Sequence, residues 1–185
     1  MKKLFLAAAV LALILALAAC GKKEEPVDEY ALAYSAAGEI IDTGVIKAVC
    51  PTGWTSVDAF DLNASDKEAV KDTVIFVKDG ASVADNRPYI KIKVHGEGEE
   101  AAGPDRSIYP DAADITPFTA GSYTWKGFSA SLDGQTFTWA GSESLGYPVE
   151  VYLWTHSGEE IHASINDSSV RLILESLTVT TEKKR

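Results

Sequence analysis

Asp133-Gly134 most constrains what this chain can fold into. Tyr123–Leu132 and Gln135–Gly141 flank it, both dense in aromatic and β-branched residues. An Asp-Gly pair between two such runs is a strong signal for a type I′ hairpin, whose central residues both need positive φ. A two-residue turn fixes the register: Ala130 opposes Phe137 and Phe128 opposes Trp139. Side chains alternate along a strand, so these four share one face with Leu132, while Tyr123 and Trp125 fall on the other. The first set, Trp139 included, is expected in the core. Tyr123 and Trp125 either lie under a helix or line a ligand groove, and they are the candidate binding residues.

Other segments extend the same architecture. Val45–Cys50 reads as a strand stopped by Pro51 and Gly53. Ser65 and Glu68 have capping-box spacing ahead of a short helix, and Thr73–Val77 is strand-like. Tyr89–Val94 alternates apolar and cationic residues, predicting a half-buried antiparallel strand with its lysines to solvent. Val149–His156 and Glu159–Ile165 flank Ser157-Gly158, a second expected hairpin that is apolar on both faces. Asn166–Ser169 supplies helix caps, after which Val170, Ile173, Leu174 and Leu177 repeat at helical spacing. From Thr178 the chain is expected to fray. Residues 96–117 hold Pro104, Pro110 and Pro117 among many acids, which predicts a long irregular excursion; such loops are often functional. The expected fold class is α+β: an antiparallel β-sheet with short helices packed on it, including a C-terminal helix.

The N-terminus sets the address. Met1-Lys2-Lys3 is followed by an apolar run from Leu4 to Ala16, shorter than the roughly 20 residues a membrane span needs. Leu17-Ala18-Ala19-Cys20 then resembles the lipobox of bacterial lipoproteins. The resemblance implies cleavage before Cys20 and a diacylglycerol on its sulfur, making the lipid bilayer the first partner. The expected organisation is a signal peptide over 1–19, a lipidated tether or short helix over 20–41, and one globular domain over 42–185. The expected location is the extracytoplasmic face of the cell membrane.

A Gly53-Trp54 pair after the first strand, with a late hairpin leading into the apolar helix Arg171–Leu177, resembles the PsbP-like α/β/α sandwich. That resemblance implies a non-enzymatic binding or assembly protein. The chain departs from the pattern at 96–117, where that fold usually carries a long amphipathic helix.

Composition narrows the partners. The formal charge is −10, and loss of Lys2 and Lys3 with the signal peptide would make it −12. An acidic domain lacks the basic footprint that nucleic acid demands. With Cys20 lipidated, Cys50 stands alone and reads as a buried structural thiol. No cofactor motif and no nucleophile motif occurs. His156 and His162 diverge on their expected strands, so no transition-metal site is expected. The acidic knot Glu97–Glu100 reads as a solvated loop, and Asp61–Ser65 as a turn into a capped helix, in preference to calcium sites. The leading expectation is therefore a non-enzymatic binding or assembly module for a protein or small-molecule ligand. The alternatives are a carboxylate-dependent hydrolase of the cell envelope and a purely structural envelope protein.

Overall fold

The hairpin forms as read. In the computed structural model Asp133 and Gly134 have φ of 52° and 79°, the doubly positive pair of a type I′ turn. They join β8 (Tyr123–Leu132) to β9 (Gln135–Ser142), with Phe128 opposite Trp139 and Ala130 opposite Phe137. The structure describes residues 28–60, 69–101, 103–142, 146–155 and 163–180. Cys20, the Asp61–Ser65 segment, the Ser65–Glu68 capping box, His156 and His162 lie outside the described residues.

The chain divides into a unit ending at Ala33 and a unit from Tyr34 onward. Helix α1 (Glu29–Tyr34) is short and buries none of its residues. The Asp28 carboxylate accepts from the Ala31 N–H at 3.1 Å at its start.

The second unit is built on strands. β3 (Trp54–Phe60), β4 (Ala69–Lys78), β5 (Tyr89–Val94), β10 (Val149–Thr155), β9, β8 and β6 (Ala113–Asp114) follow one another across a large sheet. β7 (Phe118–Ala120) also pairs with β8. A second sheet has the order β1 (Gly38–Asp42), β2 (Ile46–Pro51), β11 (Thr178–Val179), and every pairing in both sheets is antiparallel. Helix α2 (Ser168–Ser176) presents Val170, Ile173 and Leu174 to the core, as its periodicity predicts. The fold is α+β, an antiparallel sheet with short helices that include a C-terminal one.

Three expectations are corrected. Residues 30–41 are neither all helix nor linker: after α1 the chain enters β1, which pairs with β2. Residues 163–165 are not strand, and β10 has no edge left for a Glu159–Ile165 partner, because β5 and β9 occupy both sides. Residues 178–180 do not fray; β11 pairs with β2, and the Thr180 N–H donates to the Val45 carbonyl at 2.8 Å, while 181–185 lie outside the described residues.

The main core lies between one face of the large sheet and the layer made by α2 and the small sheet. It takes Phe76, Ile90, Ile92, Val151 and Leu153 from the large sheet and Ile46, Ala48, Ile173 and Leu174 from that layer. Ser176 locks the two parts of the layer together. Its Oγ accepts from the Val49 N–H at 2.9 Å and donates to the Ile173 carbonyl at 3.0 Å. Cys50 is buried in this core, and burial, aided by Glu39, pushes its thiol up to about 11.

Candidate functional site

Tyr123 and Trp125 sit on the core face of β8, with exposures of 1% and 0%. They do not line a groove. Helix α2 and the small sheet cover their face, placing both rings in the same cluster as Val170, Ile173 and Leu174. The rings are 5.5 Å apart. Burial pushes the Tyr123 phenol up to about 12, against the opposing pull of the Val179 backbone. The candidate binding pair is therefore part of the interior.

The opposite face of the same strands is the less covered one. Pairing aligns its side chains in rows that run across β8, β9, β10 and β5. One row is Lys126, Gly141, Glu150, Lys93; the next is Phe128, Trp139, Tyr152, Lys91; the third is Ala130, Phe137, Trp154, Tyr89. Phe128, Ala130 and Phe137 are buried and form a second, smaller cluster with Tyr109 and Ala112 from the long loop. Trp139 belongs to this cluster but is only half-buried, as are Tyr152, Trp154 and Tyr89. The hairpin register is legible in the sequence, and the four side chains do pack together, but Trp139 is only half-buried where a core position was expected. At this face the covering layer is an irregular loop rather than a helix, and it reaches only part of the aromatic band.

That loop is the 96–117 excursion. It holds one turn of 3-10 helix, Arg106–Ile108, and the two-residue strand β6. β6 pairs with β8, the Ile115 N–H donates to the Gly127 carbonyl at 3.1 Å, and side-chain and packing contacts add to these. The Asp111 carboxylate accepts from the Ser131 N–H of β8 at 3.2 Å. Arg106 pairs with Asp114, donates to the Ala112 carbonyl at 3.3 Å, and lies 5.7 Å from the centre of the Phe128 ring. Gly103, at φ +62°, packs its backbone on the Trp139 indole so closely that a β-carbon there would lie 2.5 Å from Cζ2.

Between this loop and the sheet is a cavity of about 940 Å³, the size of a small-molecule site. Phe128, Trp139 and Gly141 contribute to its floor, and Glu99, Glu100, Arg106, Asp114 and Lys126 bring charge to its lining. Gly141 matters because it stands between Lys126 and Glu150 in its row and has no side chain to fill the notch. The indole of Trp139 leans over it: a β-carbon at 141 would lie 3.2 Å from Cζ2.

A polar chain links floor to wall. Trp139 Nε1 donates to Glu150 Oε2 at 3.3 Å, and the other Glu150 oxygen lies 3.1 Å from His95 Nε2. His95 Nδ1 is 3.8 Å from Glu99 Oε2, which also accepts from the Gly96 N–H at 2.9 Å. Glu150 is 8% exposed, so its carboxylate needs these partners to offset desolvation. The acidic knot is thus partly organised, with Glu99 turned back onto His95. Among the described residues no group of three His, Cys, Asp or Glu side chains converges to hold a metal ion. No described helix is long and apolar enough to cross a membrane.

Of the two expectations for Tyr123 and Trp125, the position under a helix is the one observed, and the partly open aromatic face is on the other side of β8. No local signal marks Gly141, Glu150 and His95 as neighbours, since β5 and β10 are far apart in the chain.

No protein family matches the chain, and no curated protein does. Among solved structures it is similar to one from Bacteroides thetaiotaomicron VPI-5482, at a TM-score of 0.43 and 12% identity, over 80% of this chain. The chain spans 50% of that structure's length.

Proposed function

We propose that this protein is a non-enzymatic binding module, carried on the extracytoplasmic face of the cell membrane by a lipid on Cys20, whose site is the cavity beneath residues 96–117. The observation that carries the reading is the cavity itself, a half-covered aromatic floor with charged groups at its edge. The lipobox-like Leu17–Cys20 supports the anchor, and the PsbP-like resemblance is consistent with a binding or assembly role.

A carboxylate-dependent hydrolase draws on Glu99, Glu100 and Asp114, which line the same cavity. It is the weaker reading, because Asp114 is bound to Arg106 and Glu99 to the Gly96 N–H. Glu150 Oε2 accepts from the Trp139 indole and its other oxygen lies 3.1 Å from His95 Nε2. These are the restraints of a rigid wall rather than of a carboxylate poised to move a proton.

Two measurements test the proposal in native membranes. Cys20→Ala is expected to release the protein from the membrane fraction and abolish fatty-acid labelling; persistent labelling refutes the anchor. A photoreactive side chain at Ile115, in the cavity wall, is expected to give a discrete adduct, while one at the exposed Leu132 gives none. Absence of an Ile115 adduct, or the same adducts at both positions, refutes the binding site.

A further inference from the structure

His95 sits where the sheet meets the loop that borders the cavity. It follows β5, and its N–H donates to the carbonyl of Pro148, just ahead of β10, at 2.8 Å. Its two ring nitrogens face two different carboxylates. Nε2 is 3.1 Å from Glu150 Oε1, and Nδ1 is 3.8 Å from Glu99 Oε2. A neutral imidazole carries one N–H, so whichever nitrogen holds it, the other turns a lone pair toward a carboxylate. Only the imidazolium suits both. The Nε2 contact is also close without forming a well-aligned hydrogen bond. A misaligned hydrogen bond is weak, whereas attraction between opposite charges depends on distance alone.

The two carboxylates differ in what they lose when that charge goes. The Glu150 side chain is 10% exposed and also accepts from the Trp139 indole. Desolvation makes it the costlier group to leave without a donor, so it retains the one remaining imidazole N–H. The Glu99 side chain is 65% exposed and can exchange His95 for water. It folds back over Gly96, whose N–H donates to Oε2 at 2.9 Å. A β-carbon at 96 would lie 3.0 Å from Oε1. The Glu99 N–H donates to the Gly96 carbonyl at 3.1 Å, closing the turn. Gly98, Glu99, Glu100 and Ala101, which continue from this turn, line the cavity.

The other charged groups around His95 divide between sheet and loop. On β5, Lys93 stands opposite Glu150 in register. On β4, Thr73 pairs with Lys93, and Lys71 lies two residues farther along the same face. On β8, Lys126 shares the Glu150 row, with Gly141 between them. Glu97 and Glu100 flank Glu99 in the loop. The strands thus bring cations and the loop brings carboxylates, so loss of charge at His95 falls hardest on the loop.

We propose that His95 is a proton-operated latch on the cavity: its charged form holds residues 96–101 in place through Glu99, and its neutral form releases them. This rests on the binding-module reading above and adds how the site is regulated. A bound ligand then exchanges more slowly in mild acid than at neutral pH.

The test uses the whole protein, isotope-labelled in detergent micelles, with no ligand. NMR follows amide exchange at Gly96 and Glu99, relative to the intrinsic rate at each pH, from about pH 5.5 to pH 8, the range in which imidazole side chains change charge. The charged form prevails at the acid end, so protection is expected to fall as pH rises. The fall should be about two- to fivefold, the range of an exposed ion pair, and should track the His95 ring resonances. Glu99→Gln keeps an acceptor for the Gly96 N–H but offers His95 no charge. It should flatten the response while the His95 ring still titrates. His95→Gln should flatten the response as well. Constant protection across this range, or a response that survives either substitution, overturns the latch. If an Ile115 photoadduct still forms in that case, the binding site stands without its latch. If protection responds as expected but no adduct forms, the latch stands and the binding reading falls.

Discussion

Replacing Gly103 by alanine tests whether the 96–117 loop is held on the sheet by its contact with Trp139. Two costs arise. An L-residue at φ +62° is disfavoured by about 1–2 kcal/mol. The new β-carbon would lie 2.5 Å from Cζ2 and 2.6 Å from Cε2 of the indole, and the ring cannot yield freely. Swinging it would break its hydrogen bond to Glu150, worth about 1.5–3 kcal/mol because the acceptor is charged. The loop is the softer partner, so it should lift. A combined penalty of about 2–4 kcal/mol raises the loop-open population roughly 30- to 1000-fold. Amide hydrogen exchange reads this directly. The N–H groups of Ser107, Tyr109 and Ala112, hydrogen-bonded within the loop, should exchange faster, while those of β9 and β10 hold their protection. In a Trp139→Ala background the clash vanishes, and the same substitution should cost only its backbone share, about tenfold. Unchanged loop exchange in Gly103→Ala, or equal acceleration in β9, would refute the reasoning.

Ser176→Ala should destabilise the domain by about 1–3 kcal/mol, because the buried Val49 N–H loses its acceptor; chemical denaturation measures it, and a change under 0.5 kcal/mol, the range of surface sites, counts against the lock. Cys50, with its thiol raised to about 11, should resist iodoacetamide at pH 8 in the folded protein and react once the protein is unfolded in urea. Acid should loosen the loop before the sheet. Ser107 holds the Asp105 carboxyl below its usual range and Ser131 does the same for Asp111. Carboxyls lowered in the folded state stabilise it above the ordinary aspartate range, and that contribution fades as pH falls through the lowered values. Protection at Ser107 and Ser131, taken relative to the intrinsic exchange rate at each pH, should therefore fall between about pH 5 and pH 2, and Asp111→Asn should blunt the response at Ser131.

How much could be read in advance depended on how local each decision was. The register of β8 on β9 follows from two residues, Asp133 and Gly134, plus alternation, and it was right to the residue. Tyr89–Val94 and the apolar stripe of α2 are equally local. Which face of β8 stays open depends on where a helix some forty residues later comes to rest, and nothing near Tyr123 encodes that. The same non-locality hid the partners of β10, though the strand itself is legible over Val149–His156. Its apolar residues on both faces signal a central strand, but its neighbours are β9 and the distant β5, not the segment that follows it. β3 went unread because Trp54–Phe60 lacks a clean apolar alternation. Trp139 was taken for core because its partner, Phe128, is. Its partial exposure follows from Gly141, Gly103 and the loop's irregular backbone, which leave the indole pinned but not enclosed.

The seam between β2 and β11 joins Ile46 to Val179, nearly the full span of the domain. A chain that emerges amino-terminus first can assemble β3–β4 and β8–β9 early, since each closes a short loop. The small sheet must wait for its last strand. So must the covering of Tyr123 and Trp125, which depends on α2 just upstream of that strand. Until residues 168–180 arrive, the nascent domain presents an unroofed aromatic and aliphatic sheet. That interval, rather than the finished fold, is when this protein is most exposed to aggregation, and a truncation of only a dozen residues from its end would make the interval permanent.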